Sequence, residues 1–175
     1  MKVLKIIFIV LGAILLLFLA TNLFAPKSFN IKSSTTIDAP PSEVFGYVSD
    51  FTQWKDWDPR QQQDPNLIAE YELKDEYLGS WWKWKSEVVG GGKQEIIKVD
   101  KNEYLRLSLV FDDWDSTNYT EWHFKEVPEG TKVTWTMEGA ESPFMMRFMN
   151  LFMKPMVKAS YDEGLANLKG MLENN

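Results

Sequence analysis

Glu95 and Tyr161 are the side chains whose chemistry stands out in this chain. Glu95 alternates with Ile97 and Val99 in what reads as a strand, and Tyr161 shares a helical stripe with Leu165 and Leu168. A carboxylate and a phenol that face a dry interior can serve as base and acid, or orient the polar end of a bound molecule. Few other groups compete. His123 is the only histidine, and its neighbours two positions away, Glu121 and Lys125, put it on a solvent face. Most triads, zinc sites and acid–base pairs need a histidine that points inward. Cysteine is absent, which removes disulfides, thiolate metal sites and a thiol nucleophile. The run Gly90-Gly91-Gly92-Lys93 lacks the upstream glycine of a phosphate loop and precedes a strand rather than a helix, so it reads as a hairpin turn. These observations point to no metal site and no cofactor.

Positioning Glu95 and Tyr161 falls to a set of strands and one long helix. From Leu67 onward the apolar period is two: Tyr71 with Leu73, Trp82 with Trp84, Ile97 with Val99, Leu105 with Leu107, Leu109 and Phe111, Trp122 with Phe124, Val133 with Trp135 and Met137. The alternate residues are mainly polar, the pattern of an antiparallel sheet with one packed and one wet face. Residues 31–37 read as an earlier strand, giving about seven in all. Asp38 to Glu43, with Pro40 and Pro41, opens a short helix over Val44, Phe45 and Val48. Phe51, Trp54 and Trp57, at spacings of three, predict a second short helix that stops before Pro59.

The last element begins at Ser142-Pro143, an N-cap followed by proline at the first helical position. Met145, Phe148, Met149 and Phe152 recur at helical spacing, then Tyr161, Leu165, Leu168 and Leu172, with a kink or break expected at Pro155. A curved sheet must cover its apolar face, and only this helix is long enough to do so. The two cannot close perfectly on each other, and the gap becomes a cavity. Its expected lining is Trp54, Trp57, Tyr71, Trp82, Trp84, Leu107, Leu109, Trp122, Phe124, Trp135, Met137, Met149, Phe152 and Tyr161, with Glu95 and Tyr161 as the candidate catalytic pair. Eight Trp and eleven Phe suit either such a lining or a simple packed core.

Residues 6–24 carry no charge and are mostly Ile, Leu and Phe. As a helix they span about 28 Å, close to the thickness of a bilayer core. A cleaved signal peptide is the alternative, but Ala20 has Phe18 two residues before it and Ala25 has Leu23, which are poor small-x-small sites. The expected organisation is a membrane anchor and linker over residues 1–27 and a ligand-binding domain over 28–175. Lys2, Lys5 and the terminal amine before the segment, against Lys27 and Lys32 after it, tilt the N-terminus inward, leaving a single-pass membrane protein with an extracytoplasmic domain. A net charge of −6 argues against nucleic acid as a partner.

Ile37-Asp38-Ala39-Pro40, then Val44 to Phe51, then Trp54-Lys55-Asp56-Trp57, resembles the opening of the polyketide cyclase/dehydrase branch of the START-like (SRPBCC) superfamily. Val133 to Gly139 resembles that family's last strand, and Pro143 to Arg147 with Gly164 to Lys169 resembles its C-terminal helix. The resemblance implies an α+β helix-grip fold: a curved antiparallel sheet around a long C-terminal helix, with two short helices after the first strand and here an N-terminal transmembrane helix in addition. It also implies an internal pocket for a hydrophobic small molecule or lipid. It implies no common mechanism. The function expected is binding of such a molecule by a membrane-tethered domain; the alternative is a cyclase/dehydrase-type enzyme acting in the same cavity.

Overall fold

Alternation from Leu67 onward becomes one antiparallel sheet in the computed structural model, which describes residues 2–113 and 116–174. An apolar helix α1 (Lys2–Phe24) precedes strand β1 (Asn30–Ile37), helix α2 (Pro41–Ser49), a 3-10 turn (Phe51–Asp56) and the short helix α3 (Pro59–Gln63). Six strands follow: β2 (Ile68–Glu72), β3 (Trp81–Ser86), β4 (Gly90–Asp100), β5 (Tyr104–Phe111), β6 (Thr117–Val127) and β7 (Gly130–Glu138). A second 3-10 turn (Phe144–Met149) leads into the long helix α4 (Asn150–Glu173). The strand order is β1-β7-β6-β5-β4-β3-β2, an open seven-stranded sheet. This is the α+β helix-grip architecture expected from the sequence.

Helix α4 covers the apolar face with Tyr161, Leu165, Leu168 and Leu172, all buried. Gly164 lies in the same stripe, where a Cβ would stand 3.2 Å from both the Pro59 ring and the Trp135 indole, so the backbone of α4 sits close to the sheet. At its far end Lys169 Nζ donates to the Thr36 carbonyl at 2.7 Å and the Asp38 amide donates to Glu173 at 2.9 Å, holding α4 along the edge strand β1.

Four local expectations are corrected. Ile97 and Val99 do not share a face: Ile96 pairs with Leu107 and Lys98 with Arg106, so Ile97 is the extra residue of a β-bulge. The bulge resets the parity of β4, turning Gln94 and Ile96 inward and leaving Glu95 and Ile97 on the outer face. The β3–β4 turn falls at residues 87–89 rather than on the glycines. Ser86 Oγ accepts from the Val88 and Val89 amides at 3.0 Å each, and Gly90 takes the positive φ of 74°. Pro59 begins a helix instead of merely ending one, because Asp58 caps it by accepting from the Arg60 amide. Finally, Ser142 does not cap the last helix. Its hydroxyl donates to Asn150 at 3.0 Å, the chain enters through a 3-10 turn, and α4 then runs through Pro155, which removes one hydrogen bond near its start without ending it.

Gly92 sits in β4 opposite Trp84, whose indole lies over it. A Cβ there would meet the Trp84 ring at 2.7 Å and the Val110 carbonyl at 2.6 Å. Gly92→Ala is expected to lower stability by about 1–3 kcal/mol through overpacking, read as a shifted urea midpoint by tryptophan fluorescence; an unchanged midpoint would mean the indole is free to move.

Candidate ligand cavity

The 3-10 turn after α2 drives Trp54 and Trp57 into the space between sheet and helix. Both are fully buried, and Trp54 Nε1 donates to the Val48 carbonyl at 2.9 Å. They pack against Trp82 and Trp122, with ring centroids 5.6 Å apart for Trp54–Trp82 and 5.9 Å for Trp57–Trp122. Trp84, Leu107 and Phe124 complete this packed half, and Tyr71 stacks on Trp82 from β2. Trp135 closes it, stacked on Trp122 at 4.2 Å.

Beyond Trp135 the interior opens into a cavity of about 620 Å³. Leu109, Trp135 and Met137 form its sheet wall, Met153, Met156, Val157 and Tyr161 its helix wall, and Val88 and Val89 of the β3–β4 turn one rim. Phe29 reaches in from the segment before β1. A smaller chamber of about 340 Å³, which includes Met146 and Met149, shares Phe29, Asp113 and Met153 with the first.

One end of the large cavity is polar. Asp58 is completely buried and takes a bidentate pair from Arg60: Nε to Oδ1 at 2.9 Å and Nη2 to Oδ2 at 2.7 Å. Arg60 Nη2 also donates to Gln94 Oε1 at 3.2 Å, which accepts from Trp82 Nε1 at 2.9 Å. The guanidinium lies over three indoles, 5.6 Å from Trp54, 5.1 Å from Trp82 and 4.9 Å from Trp84. Such a setting suits Arg, whose planar weakly hydrated cation can fork onto a carboxylate and stack on rings at once. Burial works against the Arg60 charge, but the Asp58 charge and hydrogen bonds outweigh it and hold its pKa above the ordinary value. Tyr161 stacks on Trp135 at 3.6 Å with an interplanar angle of 13°. Burial pushes its phenol well above the ordinary range, Arg60 pulls it back and Asp58 adds to the rise, so it keeps its proton at neutral pH.

The sequence-predicted lining is thus divided. Leu109, Trp135, Met137 and Tyr161 reach the large cavity and Met149 the smaller one. Trp54, Trp57, Trp82, Trp84, Leu107, Trp122 and Phe124 are core, with Tyr71 packed on its margin. Glu95 does not face the interior as expected, because of the bulge at Ile97; it pairs with Lys93 on the outer face at 2.8 Å. Phe152 is 69% exposed, since Met153 takes the inward position on that turn of α4. Sequence reasoning missed Asp58, Arg60, Gln94 and Phe29. The Asp58-Pro59 capping signal was present for the first two, Gln94 was hidden by the parity change, and Phe29 precedes the first expected strand at residues 31–37.

The model of the family described as polyketide cyclase/dehydrase and lipid transport matches residues 28–173. No curated protein matches the chain by sequence. Among solved structures, a protein of unknown function from Staphylococcus aureus aligns with a TM-score of 0.66 at 10% identity, over 84% of this chain and 94% of that one. A Chromobacterium violaceum protein aligns at 0.60 and 16% identity, over 83% and 99%. CalU16 from Micromonospora echinospora aligns at 0.56 and 17%, over 81% and 73%. At these identities the likeness is one of fold.

Asp58→Asn leaves the Arg60 guanidinium inside the aromatic cluster without its counter-charge. The expected loss is about 3 kcal/mol, the scale for removing one partner of a buried pair, measured by urea unfolding. Asp58→Asn combined with Arg60→Met is expected to recover part of it; a double variant no more stable than the single one would show that the charge pair is not the cause.

Proposed function

Because the chain belongs to the polyketide cyclase/dehydrase and lipid transport family over residues 28–173, we propose that it is a membrane-tethered START-like domain that holds a hydrophobic, lipid-like small molecule between β7 and α4. The observation that carries this reading is the cavity itself. Its volume of about 620 Å³ falls within the roughly 300–1,000 Å³ of small-molecule sites. Its walls are mainly apolar side chains, Asp58, Arg60 and Tyr161 line one end, and Gln63, Asp113, Ser160 and Glu163 also border it. That division fits an amphipathic molecule with its apolar body among Met153, Val157 and Leu109 and a hydrogen-bonding group toward Arg60 and Tyr161.

A second reading, catalysis of the cyclase/dehydrase type, draws support from Tyr161. A phenol that keeps its proton beside a guanidinium can donate to a carbonyl oxygen of a bound substrate. Glu95 has no part in it from the outer face, and the carboxylate whose charge acts on the phenol, Asp58, is already committed to Arg60.

Residues 1–27 are read as anchor and linker. Helix α1 is the one described helix long and apolar enough to cross a membrane, and its 23 residues extend about 34 Å. Lys2 and Lys5 at its start, ahead of the uncharged residues 6–24, support a cytoplasmic N-terminus and an extracytoplasmic domain.

Two measurements test these readings. Native mass spectrometry and organic extraction of the detergent-purified full chain are expected to yield one stoichiometric apolar molecule, and Val157→Trp, which fills the cavity, is expected to lose it. A wild-type chain without such a molecule, or a variant that keeps it, sinks the binding reading. Protease added to intact cells should digest the domain; complete protection would reverse the orientation.

A further inference from the structure

Helix α1 does not leave the domain at its end. Phe18 packs edge-on against Phe148 of the second 3-10 turn, with ring centroids 5.4 Å apart, and Asn22 Oδ1 accepts from the Phe148 amide at 3.2 Å. Phe18 precedes the last residue of α1, Phe24, by six positions, about 9 Å along the axis. Asn22 and Ala25 are buried while Leu23 and Phe24 between them are 65% and 85% exposed, so an apolar face of α1 runs to its end alongside the contact with the domain. If that surface is in hydrocarbon, the 3-10 turn and the start of α4 lie below the membrane surface.

Their composition suits that depth. Phe152 and Met156 follow Phe148 at spacings of four, one stripe along α4, and are 69% and 61% exposed. Met145 and Met146, on the 3-10 turn, are 52% and 54% exposed. In a chain of net charge −6, residues 142–161 contain Arg147, Lys154 and Lys158 and no acidic residue, Lys158 being paired with Asp162 just beyond at 2.6 Å. Exposed Phe and Met beside Lys and Arg make an interfacial helix, which sinks about 5–10 Å into the headgroup and acyl boundary and is drawn to anionic lipid. The depth set by the Phe18–Phe148 contact falls in that range.

We propose that residues 142–161 lie in the surface of an anionic lipid bilayer beside the exit of α1, with Phe152 and Met156 among the acyl chains. Met156 and Val88 both line the cavity, and both are exposed. The mouth of the cavity therefore opens against lipid rather than water, and an apolar molecule passes between bilayer and cavity without crossing the aqueous phase. The inference rests on the reading of α1 as a membrane anchor.

The absence of native cysteine allows clean single-site labelling of the full chain. Nitroxides at Phe152→Cys, Met156→Cys, Leu16→Cys in α1 and Lys101→Cys in the β4–β5 turn are compared in phosphatidylcholine/phosphatidylglycerol vesicles. The oxygen-to-nickel accessibility ratio at 152 and 156 is expected to approach that at 16 and to exceed that at 101 by roughly tenfold. Ratios at 152 and 156 matching 101, with 16 in lipid, overturn the docking while leaving the anchor intact. A water-accessible label at 16 overturns the anchor and the docking with it. Labels at 152 and 156 reached by neither reagent would mean that protein covers the stripe, which also overturns the proposal.

Discussion

Trp135 stacks on Tyr161 at 3.6 Å and on Trp122 at 4.2 Å, and this three-ring stack sets how α4 stands on the sheet. On one side of it the indoles of Trp54 and Trp57 fill the interior completely, both at about 6 Å from Trp135. On the other side Phe29 and Phe111 only border the space, which stays open. Gly164 belongs to the same arrangement, because α4 can approach Trp135 and the Pro59 ring only where it carries no side chain. The cavity is therefore the part of the sheet–helix interface that the tryptophans of the first 3-10 turn do not reach. Its boundary is a stiff stacked ring system, which favours a pocket that exists before anything binds.

The polar end depends on the same rings. A guanidinium beside a cavity loses much of its hydration, a cost that neither Asp58 nor the indole faces would offset alone. Together they supply a bidentate counter-ion below the cation and ring faces around it, and Gln94 ties the cluster to the sheet through Trp82. Arg60 remains 19% exposed while Asp58 has no exposure, so the pair directs its cationic member toward the cavity and hides the anion. What this pair presents to the cavity is therefore a hydrogen-bond donor. Tyr161, holding its proton, adds a second donor at the same end.

Elements governed by local pattern were legible in the sequence. Two-residue alternation announced the strands that carry Leu109, Trp122, Trp135 and Met137, and the stripe Tyr161, Leu165, Leu168 and Leu172 announced the inner face of α4. What failed was the assumption that a strand keeps its parity. One extra residue at Ile97 exchanges Glu95 for Gln94, and no composition signal marks a bulge. The tryptophans were legible as inward-facing, yet whether an inward ring borders a cavity or fills the core depends on Trp54 and Trp57 arriving from a distant segment. Asp58 and Arg60 carried a capping signal whose reach to the cavity became visible only with Gln94 and Trp82 placed beside them.

The segment between α1 and β1 looks in sequence like a tether. In the fold it is held: Asn150 Nδ2 donates to the Pro26 carbonyl at 2.8 Å, the Ser142 amide to the Lys27 carbonyl at 2.8 Å, and the Gly139 amide to the Phe29 carbonyl at 3.0 Å. A flexible linker would let the domain sample every orientation, and the cavity mouth would face water most of the time. Bonds to three carbonyls within four residues leave little such freedom. All three acceptors are backbone carbonyls and two of the donors are backbone amides, so the one side chain the tie uses is that of Asn150, whose Oδ1 accepts from the Ser142 hydroxyl. Phe29 then serves two roles, closing the tie and lining the cavity, which couples the position of α1 to the shape of the pocket. The Phe29 carbonyl accepts from Gly139 just past the end of β7, so the place of the ring in the cavity wall is fixed by the same residue that ties the segment after α1 to the sheet.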